Sequence, residues 1–265
     1  MNHTVLGLDL ERNELKHLQI LPPKSISIVT KQKENRVNLI SRILNSYLES
    51  SEIEKVRFFI LDVNESIYRH LDDKLSAYTA KYITNIDEII VLLELLYEEI
   101  RSRTAILRGT NYEDLYSYEL MKQKETLSYT PQNYITLVIP DIDDLRIKLA
   151  DISISHRDYV DYLLKGILGS QDRFKLNCII SGTSFAKNYF PTGIYENTYY
   201  KISMGLNKYE LKDFIGGYGE RIPESPINSS IYFKEEFSDV IELKNETKVR
   251  LVNKFTNEYK MPRGD

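Results

Sequence analysis

Glycine and proline are scarce in this chain of 265 residues, 11 and 8 in all. No glycine lies between Gly7 and Gly109, and no proline between Pro23 and Pro131. A span with so few punctuators reads as regular secondary structure joined by ordinary turns. It also excludes a glycine-rich phosphate loop there, because such a loop needs glycines to let backbone N–H groups approach an anion. The single cysteine, Cys178, excludes an intramolecular disulfide framework and any multi-cysteine zinc site. Basic surplus is lacking too: 35 Lys and Arg against 39 Asp and Glu leave a formal net charge of −4, the wrong sign for a protein held to nucleic acid by bulk electrostatics. The richest apolar run, Ile89 to Leu96, is broken by Glu94 and falls far short of the ~20 residues of a membrane span. The first nine residues have no basic segment followed by an apolar core, so they do not read as a signal peptide. What is present, 42% hydrophobic and 28% charged residues, suits a globular chain with a sizeable core in a reducing, aqueous compartment.

Periodicity places the elements. Short strands are expected at Lys16 to Ile20 and Ser25 to Val29, around Pro22-Pro23. A helix follows over Arg36 to Leu48, with Val37, Ile40, Leu44 and Leu48 as its apolar stripe. Val56 to Leu61, Tyr134 to Ile139 and Lys175 to Ser181 are apolar runs of buried-strand type. A long helix is expected from Ile86 to Leu107, capped by Asn85 with Glu88 as capping-box partner and ended by Gly109. Its buried face is Ile86, Ile89, Ile90, Leu93, Leu96, Tyr97 and Ile100. Helices are also read at Ser66 to Lys81, Tyr112 to Lys124 and His156 to Leu168. Strands alternating with helices of this length imply parallel pairing and one α/β domain over residues 1–265.

Two places could carry nucleotide chemistry. In the frame G-x-x-x-x-G-K-[ST], the loop after the Ser25 to Val29 strand puts Thr30 and Asn35 at the glycines, Arg36 at the lysine and Val37 at the hydroxyl. Valine cannot ligate magnesium, although Arg36 and a helix N-terminus can still attract an anion. After Tyr134 to Ile139, Pro140 stands at the metal-binding aspartate and Asp141 at the water-positioning glutamate, followed by Asp143 and Asp144. Those three carboxylates either gather a metal at a sheet edge or cap the next helix; capping is the expectation. The four histidines show no ligand spacing, Ser155-His156-Arg157-Asp158 reads as a helix start rather than a triad, and Cys178 as a buried, inert thiol. The glycine-rich 216–219 segment reads as a flexible turn, and most of the 20 tyrosines as helix packing.

Taken in order, these segments resemble FtsK/SpoIIIE-type ATPase modules over about residues 4 to 206. Thr4 to Asp9 (TVLGLD) is similar to their opening strand, Pro23 to Val29 and Asn35 to Ile40 to the strand and helix around the phosphate loop, and Phe58 to Asp62 to the next strand. Glu99 to Arg103 is similar to their E-M-x-R-R helix, Tyr134 to Leu145 to the Walker B segment with Asp144-Leu145 retained, and Cys178 to Ser184 to the sensor strand. Within that family the likeness is greatest to the degenerate C-terminal module of type VII secretion ATPases, the EssC and EccC proteins. The resemblance implies an α/β RecA-like P-loop NTPase fold, a mostly parallel central sheet flanked by helices. It makes Thr30, Asn35, Arg36, Val37, Pro140, Asp141, Thr183 and Ser184 the nucleotide-site equivalents, with ATP and magnesium held weakly at most and hydrolysis lost. It implies a cytoplasmic domain of a cell-membrane protein, acting beside neighbouring ATPase modules, with room for self-association and no nucleic acid. The implied partners are WXG100-type and effector export substrates. A substrate groove is expected at Tyr199, Tyr200 and Met204, read as exposed. The alternative is a weak ATP-binding or ATP-hydrolysing motor module completed by its neighbours.

Overall fold

The computed structural model describes residues 3–9, 14–19, 23–50, 53–126, 128–170, 173–183, 198–215, 230–235 and 241–244. Strands β1 (His3–Asp9) and β2 (Glu14–Gln19) lead into β3 (Ile26–Thr30), helix α1 (Lys33–Ser46) and β4 (Val56–Leu61). Then follow β5 (Thr79–Ile83), α2 (Ile86–Leu107), α3 (Leu115–Glu125), β6 (Tyr134–Ile139), α4 (Ile142–Ile152), α5 (Ile154–Gly169) and β7 (Leu176–Gly182). The last described elements are β8 (Tyr200–Met204), α6 (Lys208–Phe214), β9 (Ser230–Glu235) and β10 (Ile241–Lys244).

All ten strands join one sheet in the order β2-β1-β10-β9-β8-β3-β7-β6-β4-β5. From β8 to β5 every pairing is parallel; from β8 outward through β9, β10, β1 and β2 every pairing is antiparallel. The central parallel strands β3 and β7 are buried along their whole length because helices cover both faces. Alternation along each strand sorts the side chains: Ile26 and Ile28 of β3, Val138 of β6 and Ile179 of β7 pack with Val37, Ile40, Ile43 and Leu44 of α1. Val29, Leu137, Ile139, Cys178 and Ile180 point the other way, into a core closed by α2, α4 and α5. Cys178 is buried in that core, as its apolar setting predicts.

The long helix forms where expected, with Ile89, Leu93, Leu96 and Ile100 buried and Ile86, Ile90 and Tyr97 packed at the margin. Asn85 Oδ1 accepts from the amides of Asp87 (2.8 Å) and Glu88 (3.2 Å), a one-sided cap rather than a full capping box. Gly109, at φ +80°, takes the left-handed turn beyond its end, which a side chain would resist.

Two sequence expectations are corrected. Ser66 to Lys81 is not a helix but two 3₁₀ turns, Tyr68–His70 and Asp73–Tyr78, leading into β5. The buried Asp62 carboxylate accepts from Ser66 Oγ (2.9 Å), the Ile67 amide (2.9 Å) and Tyr82 Oη (2.6 Å). Those bonds compete with helical ones and hold the chain where β5 can pair with the free edge of β4. The Tyr199, Tyr200 and Met204 surface is not there either. β8 runs between β3 and β9, so Tyr200 and Met204 are buried, with Tyr200 stacked on Phe233. Tyr199 is half-buried, and its hydroxyl donates to Glu235 Oε1 at 3.0 Å.

The edge of the sheet at the N-terminal ends of β6 and β7 is closed by polar groups. Buried Arg103 of α2 bonds Glu99 Oε1 (2.8 Å) and the carbonyl of Phe174 (2.6 Å). Beside it Lys175 forms a buried ion pair with Glu119 of α3, while its ammonium also donates to the Gln132 carbonyl (3.1 Å) and sits over the Tyr134 ring.

Candidate functional site

The opposite edge, at the C-terminal ends of β3, β6, β7 and β8, is where ligands gather in open α/β sheets. Only Lys31 and Gln32 separate β3 from α1. The helix begins at Lys33, so Lys33 to Arg36 lie on a helical turn, where a phosphate loop would wrap around its anion with free N–H groups. Thr30 is buried and its hydroxyl donates to the Gln32 carbonyl at 2.8 Å, while Asn35 Nδ2 donates to Gln32 Oε1 at 2.9 Å. Side chains thus fasten the short loop to itself. Val37 lies in the core under α1.

Arg36 is 1% exposed and Asp141 7%. They meet as a buried ion pair, Arg36 Nη2 donating to Asp141 Oδ2. Asp141 is also the N-cap of α4, its Oδ1 accepting from the Asp144 amide at 3.2 Å. The capping expectation thus holds for Asp141 alone, while Asp143 and Asp144 bond elsewhere, and the Asp141 carboxylate has a second task in the ion pair with Arg36. The other cations of the loop are matched as well. Lys31 is paired with Glu210 of α6, and Lys33 Nζ lies 4.0 Å from Asp144 Oδ2. Thr183, just past β7, donates from its amide (2.6 Å) and hydroxyl (2.9 Å) to Asp143 Oδ2. The Pro140 carbonyl accepts from Ser181 Oγ. Ser184 lies outside the described residues.

The fold thus brings Arg36, Asp141 and Thr183 to one edge, with Thr30 and Asn35 beside them. Glu210, Asn64, whose amide donates to Asp144, and Ser181 were missed from sequence. One signal was available for the pair: an arginine entering a helix just after a buried strand needs a carboxylate, and Asp141 ends another such strand.

These residues do not fit a magnesium triphosphate. Valine and proline occupy the two positions that would supply oxygen to the metal. The remaining carboxylate is committed to a guanidinium and a helix cap. Among the described residues no group of three His, Cys, Asp or Glu converges on a point suited to a metal ion. One donor is left over: Arg36 Nη1 is buried with no hydrogen-bond partner among the described residues.

Burial pushes the Asp141 carboxyl up to about 6, against the downward pull of Arg36 and of the Asp144 amide, with Asp144 and Asp143 adding to the rise. The ordinary value is about 4. Between those values the folded chain holds a proton that the unfolded chain has released. This group's contribution to stability therefore grows as pH falls through 6 and levels off near 4. Urea midpoints at pH 7 and pH 5 check this: the difference between wild type and Asp141→Asn is expected to move in favour of wild type at the lower pH. An unchanged difference would contradict it.

A mostly parallel, helix-covered sheet with this edge defines the class: an α/β, RecA-like P-loop ATPase fold. More specifically, the chain resembles the FtsK/SpoIIIE-type modules of the type VII secretion ATPases. No protein-family model matches it, and no curated protein matches it; the likeness is one of fold. The cytoplasmic domain of EccC, the type VII secretion ATPase of Thermomonospora curvata, superposes with a TM-score of 0.63 at 17% identity, covering 92% of this chain and 28% of that one. ATPases 2 and 3 of the same EccC, in complex with a signal sequence peptide, give 0.63 at 15% identity over 92% of this chain and 40% of theirs. The conjugation coupling protein TcpA of pCW3, a monomer with ATPγS, gives 0.68 at 14% identity over 98% of this chain and 71% of its own. ATPases 2 and 3 of EssC from Geobacillus thermodenitrificans give 0.62 at 14% identity over 97% of this chain and 48% of theirs. The chain thus spans less than half of the secretion ATPase chains it matches.

Proposed function

We propose that this chain is a recognition and coupling module of a type VII secretion ATPase, which has lost nucleotide hydrolysis and acts on WXG100-type or effector export substrates. On this reading it stands at the C-terminal end of a longer, membrane-anchored protein, on the cytoplasmic side, beside neighbouring ATPase modules and without nucleic acid. Among the described residues no helix is long and apolar enough to cross a membrane. The observation that carries the reading is the buried Arg36–Asp141 pair. An internal carboxylate satisfies the cation that would otherwise meet phosphate, so the closed arrangement needs no nucleotide. The EccC module solved with a signal sequence peptide supports the recognition half.

Calorimetric titration of the chain with ATP and magnesium is expected to give no micromolar binding, and phosphate release no turnover. The C-terminal segment of an export substrate is expected to bind equally with and without nucleotide. The alternative, a weak ATP-binding or ATP-hydrolysing module completed by its neighbours, is favoured by one feature, the Nη1 of Arg36, which has no hydrogen-bond partner among the described residues. Micromolar ATP binding with turnover that disappears in Asp141→Ala would establish the alternative and remove the first reading.

A further inference from the structure

Beside the polar groups at the N-terminal ends of β6 and β7 lies a cavity of about 290 Å³. That is near the lower end of the range for small-molecule pockets and has room for a single ring system. Tyr116, Glu119, Leu120, Gln132, Tyr134 and Lys175 are among the residues that line it. Its base is polar and buried: Lys175 and Glu119 are 5% and 1% exposed and paired with one another, so their charges cancel. The Lys175 ammonium is placed by the Gln132 carbonyl at 3.1 Å and by two rings, 4.8 Å from the Tyr134 centroid and 6.0 Å from that of Tyr116. Its left-handed φ of +56° is a conformation that persists where the surroundings over-determine it. Gln132 gives its backbone amide to Glu119 Oε1 and its carbonyl to Lys175. Its side-chain Oε1, however, is buried with no hydrogen-bond partner among the described residues. A buried acceptor left unmet is costly and rare in a folded protein. The last torsion of glutamine is soft, so the amide can turn this oxygen toward a donor in the cavity. The outer wall is apolar: Tyr116 and Leu120, one turn apart on α3, are 51% and 44% exposed.

These groups select the ligand. An ion gains little from a base whose charges already cancel, and it gives up its hydration on entry. Lys55, the other charge that lines the cavity, is exposed to solvent. A wholly apolar ring would leave the Gln132 acceptor unmet, while a water molecule would meet it and leave Tyr116 uncovered. We infer that this cavity binds a neutral aromatic ring carrying a hydrogen-bond donor, a phenol being the simplest. The ring lies against Tyr116 and Leu120 with its hydroxyl donating to Gln132 Oε1. A free small molecule and a tyrosine side chain of a partner chain share that chemistry. The site lies at the edge of the sheet opposite Arg36 and Asp141, so it stands whichever way that edge treats nucleotide.

The test is an NMR titration of the isotope-labelled full chain with p-cresol, which is expected to give saturable shifts at Tyr116, Leu120 and Gln132 in the millimolar range. The same ring without a donor, 4-methylanisole, is expected to bind about tenfold more weakly. The charged 4-methylbenzoate should also bind more weakly than p-cresol. Tyr116→Ala, at an exposed position, is expected to lower p-cresol affinity about fivefold or more. Gln132→Leu is expected to keep the urea midpoint, because the acceptor it removes has no partner among the described residues, and to bind p-cresol and 4-methylanisole equally. N-acetyltyrosinamide separates the two sources: affinity equal to that of p-cresol assigns the site to a tyrosine of a partner chain, and its exclusion assigns it to a free phenol. No saturable binding of p-cresol, equal binding of p-cresol and 4-methylanisole to wild type, shifts confined to another part of the chain, or undiminished binding to Tyr116→Ala would overturn the assignment.

Discussion

Asp141→Ala is expected to lower unfolding stability by about 3–5 kcal/mol, the usual cost of leaving one partner of a buried ion pair unmatched. Arg36 is almost fully buried and Asp141 is its described hydrogen-bond partner, so at neutral pH, where the carboxyl is ionised, alanine would leave the guanidinium with neither acceptor nor counter-charge. The α4 cap adds to the loss by about 1 kcal/mol. Arg36→Met combined with Asp141→Asn is expected to recover most of it, because methionine fills the arginine's place without a charge and asparagine still caps the helix. Urea unfolding of Arg36→Met, Asp141→Asn and the double variant measures the coupling directly. If the single substitutions cost less than about 1 kcal/mol, solvent reaches the pair and the site is not closed. That result would weaken the proposal of a nucleotide-independent module, since its central observation is the closure.

The second large effect is expected at the other end of the sheet. Lys175→Met leaves the Glu119 carboxylate buried beside Gln132, whose amide donates to it at 2.8 Å. A loss of about 3–5 kcal/mol is again expected. Here Glu119→Gln in the same chain should restore much of it, because the amide oxygen of glutamine can still accept from Gln132. Lys175 has a further constraint: its φ is +56°, a left-handed backbone that a residue with a side chain seldom adopts. Lys175→Gly therefore relieves strain while removing the ion pair, and its cost should be smaller than that of Lys175→Met. Thermal or urea midpoints of the three variants rank these contributions.

Much of the molecule was readable in advance. The strands β4, β6 and β7 show as apolar runs, and α2 as a long helix with its cap and buried stripe, because these signals are local and repeat with the period of the element. The loop after β3 and the carboxylates after β6 were readable as segments of interest, though not as partners of one another. Other parts were not. The 66–81 segment carries no strong period, and its path is decided by three bonds to Asp62. The exposure expected of Tyr200 and Met204 failed because a strand's burial depends on what pairs with its edges, and β9 comes from a distant part of the chain.

The sequence by itself determined the class of fold, the absence of any glycine between Gly7 and Gly109, and the valine and proline at positions 37 and 140. All three follow from residue type and order, with no reference to distance. The tertiary structure alone decided that Arg36 and Asp141, 105 residues apart, satisfy one another. It also decided that Tyr200 and Met204 are covered, while Val91 and Leu95 of α2 stay exposed. The physical reason is shared: whether a charge is matched or an apolar group is covered depends on which distant segments the sheet and its helices bring together.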